Sequence, residues 1–456
     1  MNGHDATNQE GRDASRTWVA LVLTIGILLP VALAVTYVHR FGVNVPENDD
    51  WFFIPTLEAF YSGKAWLPLV LQHYTEHRVI IPKLLILGFS AFNHFDLKFE
   101  MYFSVLLMAL CALLIWRLIR ITATPPWVVI PAGVLLLSPA QAENLLNGWQ
   151  FCMPLANAFL LGMLVLLSRR SLTIGRYVAA IACAIGATFS FAAGTLAWPL
   201  GLFLLFDRMK SPRVFIWIGV SVLVAVLYRW GYQGARDVPP DYLSFWHHPA
   251  AAAKLSLAII GSNFGGYQLA TAIATGAATL LLLCGIVLLE PRVFHPRTRP
   301  WYALLLYGLL ATALVSLGRS FEWQAFALSS RYATLSAFVP VSCVALAAIG
   351  IGRIKPAYRQ LSIAVCAIVL LFAGVQSIRT GLAGWRLGSA VFQERLIARS
   401  CLLDFRNAPE ACLKRMFANG GEIVRREAAV LEKYDLSPFH DRDSQPNSAS
   451  RVNEIR

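Results

Sequence analysis

The chain reads as an all-α polytopic membrane protein, with about eleven transmembrane helices and an interfacial helix in the first outer loop. Its 456 residues are 57% hydrophobic and only 14% charged, and mean hydropathy is +0.57. Soluble domains carry about 25% charged residues. Disordered chains need low hydrophobicity, and outer-membrane barrels alternate apolar with polar residues. The second observation is a series of apolar runs near span length. The third is that basic residues cluster in alternate loops. A net charge of +13 therefore reads as a topology signal, and nucleic acid is not an expected partner.

The elements follow in order. Residues 1–16 are polar and read as a disordered arm. Thr17 to Val38 is long enough to cross a bilayer, and no small-residue cleavage site follows it. After a polar loop, apolar runs lie near 79–93, 99–119, 126–139, 151–168, 174–190, 193–206, 213–231, 266–289, 301–317, 332–351 and 361–380. Arg117 and Arg120, Arg169 with Arg170 and Arg176, Arg208 with Lys210 and Arg213, Arg292 with Arg297 and Arg299, and Arg353 with Lys355 and Arg359 mark five loops as cytoplasmic. The loops between them are poor in charge.

With the N-terminus inside, only one span fits between the loop at 39–78 and Arg117. The run 79–93 is short and carries Pro82 and Lys83. It reads as a helix lying in the outer interface. The alternative is twelve spans with the N-terminus outside. Residues 17–380 form the membrane domain, and 39–98 form its first outer loop. Residues 381–440 form a charged helical tail on the outer side, and 441–456 a disordered end. Six cysteines lie in apolar runs and no CxxC occurs, so a zinc site is not expected. Cys401 and Cys412 in the tail are a possible disulfide pair.

Polar residues gather in the outer loops. The first loop holds Glu47, Asp49, Asp50 and Trp51, then His73, Glu76, His77 and Arg78. Adjacent carboxylates repel, and one can serve as a base. Trp51 and Phe52 offer a platform for a sugar ring or a lipid; a solvated acidic loop with an aromatic belt gives the same composition. A second loop carries Glu143, Asn144, Asn147, Trp149 and Gln150, an amide-rich set with donors and acceptors for sugar hydroxyls. A third segment, Gly194-Thr195-Leu196-Ala197-Trp198-Pro199, reads as close helix packing. Arg319 and Arg331 border another outer loop. There, as with Arg78 and Lys83, a phosphate partner or snorkelling to headgroups would account for them. His247 and His248 are adjacent and diverge on a helix.

Together these motifs resemble the GT-C-fold membrane glycosyltransferases, most of all the bacterial branch related to protein mannosyltransferases and aminoarabinose transferases. The resemblance rests on Asp49-Asp50-Trp51 after the first span, His77-Arg78 followed by Pro82-Lys83-Leu84, and the interfacial helix. Leu137-Ser138-Pro139, the Gly194–Pro199 run and Ser330-Arg331-Tyr332 add to it. It covers residues 17–350.

The resemblance implies inverting transfer of a sugar from a polyprenyl-phosphate donor to an envelope lipid or glycan, at the outer face of a bacterial inner membrane. Asp49 would be the base and Asp50 its neighbour or a substrate ligand. Arg78, Lys83, Arg319 and Arg331 would bind the donor phosphate. Glu47, Trp51, His73, His77, Glu143, Asn144, Asn147, Trp149 and Gln150 would line the substrate site. The membrane lipids are the remaining partners. No cofactor is expected; Glu47, Asp49 and Asp50 leave a divalent cation open. The acidic pair is Asp-Asp where better-known members have Asp-Glu, and no large soluble domain accompanies it. A polysaccharide ligase or polymerase and a transporter of envelope precursors are the rival readings.

Overall fold

The structure, a computed structural model, describes residues 16–232, 244–417 and 420–442. The expected terminal arms therefore lie outside the described residues, except Arg16, Asp441 and Arg442.

The chain is helical throughout the described residues. Among them, nine helices are long and apolar enough to cross a membrane. They are α1 (Arg16–Phe41), α3 (Leu97–Thr122), α4 (Pro126–Leu146), α5 (Gly148–Leu167), α8 (Pro212–Arg229), α10 (Leu269–Leu289), α11 (Arg299–Phe326), α12 (Ser330–Ile351) and α13 (Pro356–Leu403). Four shorter apolar helices join them: α2 (Ile80–Asn93), α6 (Ile174–Thr188), α7 (Ala192–Leu204) and α9 (Pro249–Gly261). Helix α14 (Gly421–Lys433) closes the described fold. Apolar residues such as Leu281, Leu288, Leu371 and Phe372 stand exposed on the bundle surface, as a lipid-facing surface requires.

The loops meet at two opposite ends of the bundle. At one end, Arg297 donates to Thr122 O and Ala123 O at 3.0 and 2.8 Å. Arg299 pairs with Asp207 at 2.6 Å, and Arg208 donates to Arg170 O at 3.2 Å. Arg353 and Arg292 both pair with the buried Glu290, at 3.0 and 2.8 Å. All five basic loops are thus connected there, and the cations bond the carbonyls that helix ends leave unpaired.

The polar loops meet at the other end. Both ends of α2 are tied to it: Ile81 N–H donates to Phe189 O at 3.2 Å, and Ser437 N–H donates to His94 O at 2.8 Å. The short helices α6 and α7 instead run between the two ends. Arg176, in the first turn of α6, bonds Ser171 O in the basic loop, while Phe189 just past its last turn meets Ile81. Leu204 at the end of α7 accepts from Arg299.

Helix α13 has 48 residues, about 72 Å at 1.5 Å per residue. That is more than twice the bilayer core of about 30 Å. It runs unbroken from the last apolar run into the tail. There the chain turns back, with Cys401 and Cys412 joined in a disulfide, Cα atoms 6.0 Å apart. Asn48 N–H donates to Met416 O at 2.8 Å, and Asn44 donates to Asp441 at 2.8 Å. The tail therefore packs onto the first polar loop.

Candidate functional site

After α1 the chain enters a capped helical turn, Asn48–Phe53. The Glu47 and Asp50 side chains cap each other's backbone N–H groups. Asp50 Oδ2 accepts from Glu47 N–H at 2.9 Å and Oδ1 accepts from Trp149 N–H at 3.3 Å. Burial pushes its carboxyl up to about 7. Asp50 thus points into the protein and ties this turn to the start of α5. The turn presents Asp49 the other way.

A tight hairpin faces it. Tyr74 and His77 exchange backbone hydrogen bonds at 2.7 and 2.8 Å. Tyr74 Oη donates to Asp49 Oδ1 at 2.5 Å. Burial, reinforced by the Asp49 charge, holds the Tyr74 phenol above its usual range. Glu76 pairs with Arg319 at 2.9 Å. Burial raises Glu76, but the His77 and Arg319 charges outweigh it and keep the carboxyl below its usual range. His77 stacks on Phe191 with centroids 4.5 Å apart, and burial lowers its basicity.

Asp49 lines a cavity of about 660 Å³ at this end of the bundle. Glu47, Glu143, Asn147, Gln150, Arg331 and Arg395 supply its polar wall, and Leu146, Phe326, Leu328, Leu387 and Val391 its apolar wall. Small-molecule sites commonly enclose about 300–1,000 Å³. Four polar atoms on this wall are buried without a hydrogen-bond partner: Asn147 Oδ1, Gln150 Oε1, Arg331 Nε and Arg395 Nε. Such atoms are rare in native folds and need an explanation, a ligand or water being the usual one. Glu143 accepts from Ser329 Oγ at 2.7 Å and from Arg331 N–H at 3.2 Å. Its side chain pairs with Arg331 Nε at 3.9 Å, and the guanidinium also lies over the Phe326 and Tyr332 rings.

The other residues singled out in the sequence lie elsewhere. Trp51 is buried in the core, and Phe52 is the exposed aromatic. Trp149 is buried against Phe53, centroids 4.3 Å apart. Asn144 is buried and bonds Arg331 O at 2.8 Å and the Thr334 hydroxyl. His73 bonds Tyr228 O at 2.7 Å. Lys83 donates to Leu69 O and Gln72 O, both at 2.9 Å, and burial lowers its ammonium to about 8. Arg78 donates to Leu71 O and Trp230 O at 3.2 and 3.1 Å. Lys83 and Arg78 are spent on helix-end carbonyls and do not reach the cavity, and Arg319 is spent on Glu76. His247 and His248 gather no further ligating group among the described residues.

Tyr74 and Arg395 were not singled out as site residues in the sequence. Tyr74 sits inside a polar cluster, where its neighbours drew the attention. Arg395 bonds Leu146 O and Glu47, yet lies 348 residues from Glu47. Its only signal is the spacing of Gly381, Gly384 and Gly388 one helix face earlier, which marks α13 as packed there.

Searches against family models, curated proteins and solved structures match nothing.

Proposed function

We propose that the protein is a membrane glycosyltransferase that moves a sugar from a polyprenyl-phosphate donor to an envelope lipid or glycan. The observation that carries this reading is the composition of the cavity wall. Three carboxylates (Glu47, Asp49 and Glu143), two amide side chains (Asn147 and Gln150) and two guanidinium side chains (Arg331 and Arg395) line the same space, beside an apolar wall. Amides suit sugar hydroxyls, guanidinium suits phosphate, and the apolar wall suits a lipid chain. The motif resemblance to the GT-C fold supports the same chemistry.

In this reading Asp49 is the general base. Tyr74 holds one carboxylate oxygen, which orients the other toward the acceptor. The acceptor hydroxyl oxygen bonds to the anomeric carbon as the carbon–oxygen bond to the phosphate breaks. The hydroxyl proton passes to Asp49, and the electron pair leaves with the polyprenyl phosphate. Attack opposite the leaving group inverts the anomeric centre. Arg331 offsets the charge that develops on the phosphate, and Arg395, held by Glu47 and Leu146 O, lies on the same wall. The buried Asp50 positions the turn that carries Asp49.

In this reading α6 and α7 cross the membrane with the nine long helices, eleven crossings in all, and α2 lies in the interface at the cavity end. The basic end faces the cytoplasm by the positive-inside rule. This puts the N-terminus inside, with the cavity and the tail at the outer face of a bacterial inner membrane.

Mass spectrometry of envelope glycans and glycolipids tests this. The samples are cells with the native protein, cells without it, and cells with Asp49→Asn at equal protein level. The expected result is one sugar missing from the same product in the last two. A profile unchanged in all three overturns the proposal.

A further inference from the structure

The end of α2 and the end of the tail meet outside the cavity. Ser437 N–H donates to His94 O at 2.8 Å, and Tyr434 stacks on Tyr61 with centroids 5.6 Å apart. These contacts bring His94 beside Asp435 and His440. His440 Nδ1 lies 2.7 Å from Asp435 Oδ2. His94 Nδ1 lies 3.9 Å from the same oxygen and 3.1 Å from the Asp435 backbone carbonyl oxygen. The two imidazoles lie face to face, centroids 3.7 Å apart and 4° from parallel. One donor atom from each residue falls within 4.8 Å of the others.

Zinc binds nitrogen and carboxylate oxygen at about 2.0–2.2 Å, which spaces tetrahedral donors about 3.3–3.6 Å apart. The observed 2.7 and 3.9 Å separations straddle that spacing. The stacked rings hold their in-plane lone pairs parallel, so His94 and His440 must turn out of the stack to put all three donors on one ion; the side chains are exposed enough to do so. Two imidazoles and a carboxylate match the ligand preferences of zinc-class ions. The backbone on both sides is already held by other contacts, so the ion has little chain to order. The nearby Arg442 is turned to Glu432 at 3.6 Å.

We propose that His94, Asp435 and His440 bind one divalent ion of the zinc class, with a water in the fourth position. The ion clamps the tail to the end of α2. None of the three residues lines the cavity, so the clamp stands whether or not the cavity transfers sugar.

Full-length protein in detergent, stripped with a chelator, is titrated with Zn²⁺ alone by calorimetry, and bound metal is counted by mass spectrometry. Co²⁺ in place of Zn²⁺ supplies visible absorption bands that report a tetrahedral nitrogen–oxygen site. The expected result is one ion per chain. His440→Ala and Asp435→Asn weaken binding at least about 10- to 100-fold, the range for disturbing even outer-shell partners. The pair His247→Ala/His248→Ala leaves it unchanged. His440→Gln serves as a milder variant, and size-exclusion profiles confirm that each variant is folded. Absence of saturable binding, or equal affinity in folded ligand variants, overturns the proposal.

Discussion

Asp49 and Asp50 are adjacent and chemically identical, yet their environments are opposite. Asp49 lines the cavity and is held by Tyr74. Asp50 is buried and accepts two backbone N–H groups. Two different losses follow. On the proposed sugar transfer with Asp49 as base, Asp49→Asn is expected to lower transfer by about 10²–10⁴-fold, the usual worth of a general base, with thermal stability unchanged; single-turnover assays on folded protein check this. Asp50→Asn is expected to act through stability and its pH dependence. The folded protein holds the Asp50 proton up to about 7, whereas an unfolded chain releases it near about 3.9. The folded state therefore binds more protons across that window, and its stability falls as pH rises through it. The melting temperature of the native protein should drop between pH 5 and about pH 7 relative to Asp50→Asn. Parallel curves would remove Asp50 from the account. Sequence identifies the acidic pair but cannot separate its members, because a helical turn sends neighbouring side chains in different directions. The aromatic pair shows the same limit: of Trp51 and Phe52, both offered as a platform, Trp51 is buried and Phe52 is exposed.

Helix α13 joins the membrane bundle to the cavity wall. Its Gly384 and Gly388 sit where side chains would collide. A Cβ on Gly384 would fall 2.1 Å from Pro139 O, and one on Gly388 would fall 2.5 Å from Tyr37 Oη. Tyr37 in turn donates to Gly384 O at 2.8 Å. This contact sets the course that brings Leu387, Val391 and Arg395 to the cavity. Gly384→Val is expected to cost at least about 1–3 kcal/mol by overpacking. It should also weaken any cavity ligand, because Arg395 moves with the helix. Unfolding monitored by intrinsic fluorescence, with ligand binding on the folded fraction, measures both. Normal stability and normal binding would show that the helix tolerates displacement. The sequence separates the apolar run at 361–380 from the patterned stretch at Trp385 to Leu402. The structure runs them as one helix: no Pro lies between them, and the intervening Gly381 and Gly384 pack against Ser138 and Pro139.

The bundle sorts its loops into a basic end and a cavity end. Labelling from outside intact spheroplasts tests which end is which. In a background without the six free cysteines, Lys64→Cys at the cavity end and Lys355→Cys at the basic end are both exposed. An impermeant thiol reagent is expected to label Lys64→Cys at once and Lys355→Cys only after lysis. The reverse pattern would invert the orientation and place the cavity in the cytoplasm.

The sequence by itself determined the helical membrane class and the partition of loops. Both depend on properties that add along the chain: the apolar length needed to cross a bilayer, and the charges that resist crossing. It also marked Asp49, Asn147, Gln150 and Arg331, because polar groups in an apolar chain are conspicuous. Only the tertiary structure decided that Arg78 and Lys83 serve helix ends, that Arg319 serves Glu76, and that Arg395 joins the cavity. Those outcomes depend on which unpaired group lies within about 3 Å of a cation. Such distances are set by helix packing between segments that can lie hundreds of residues apart, and no local pattern encodes them.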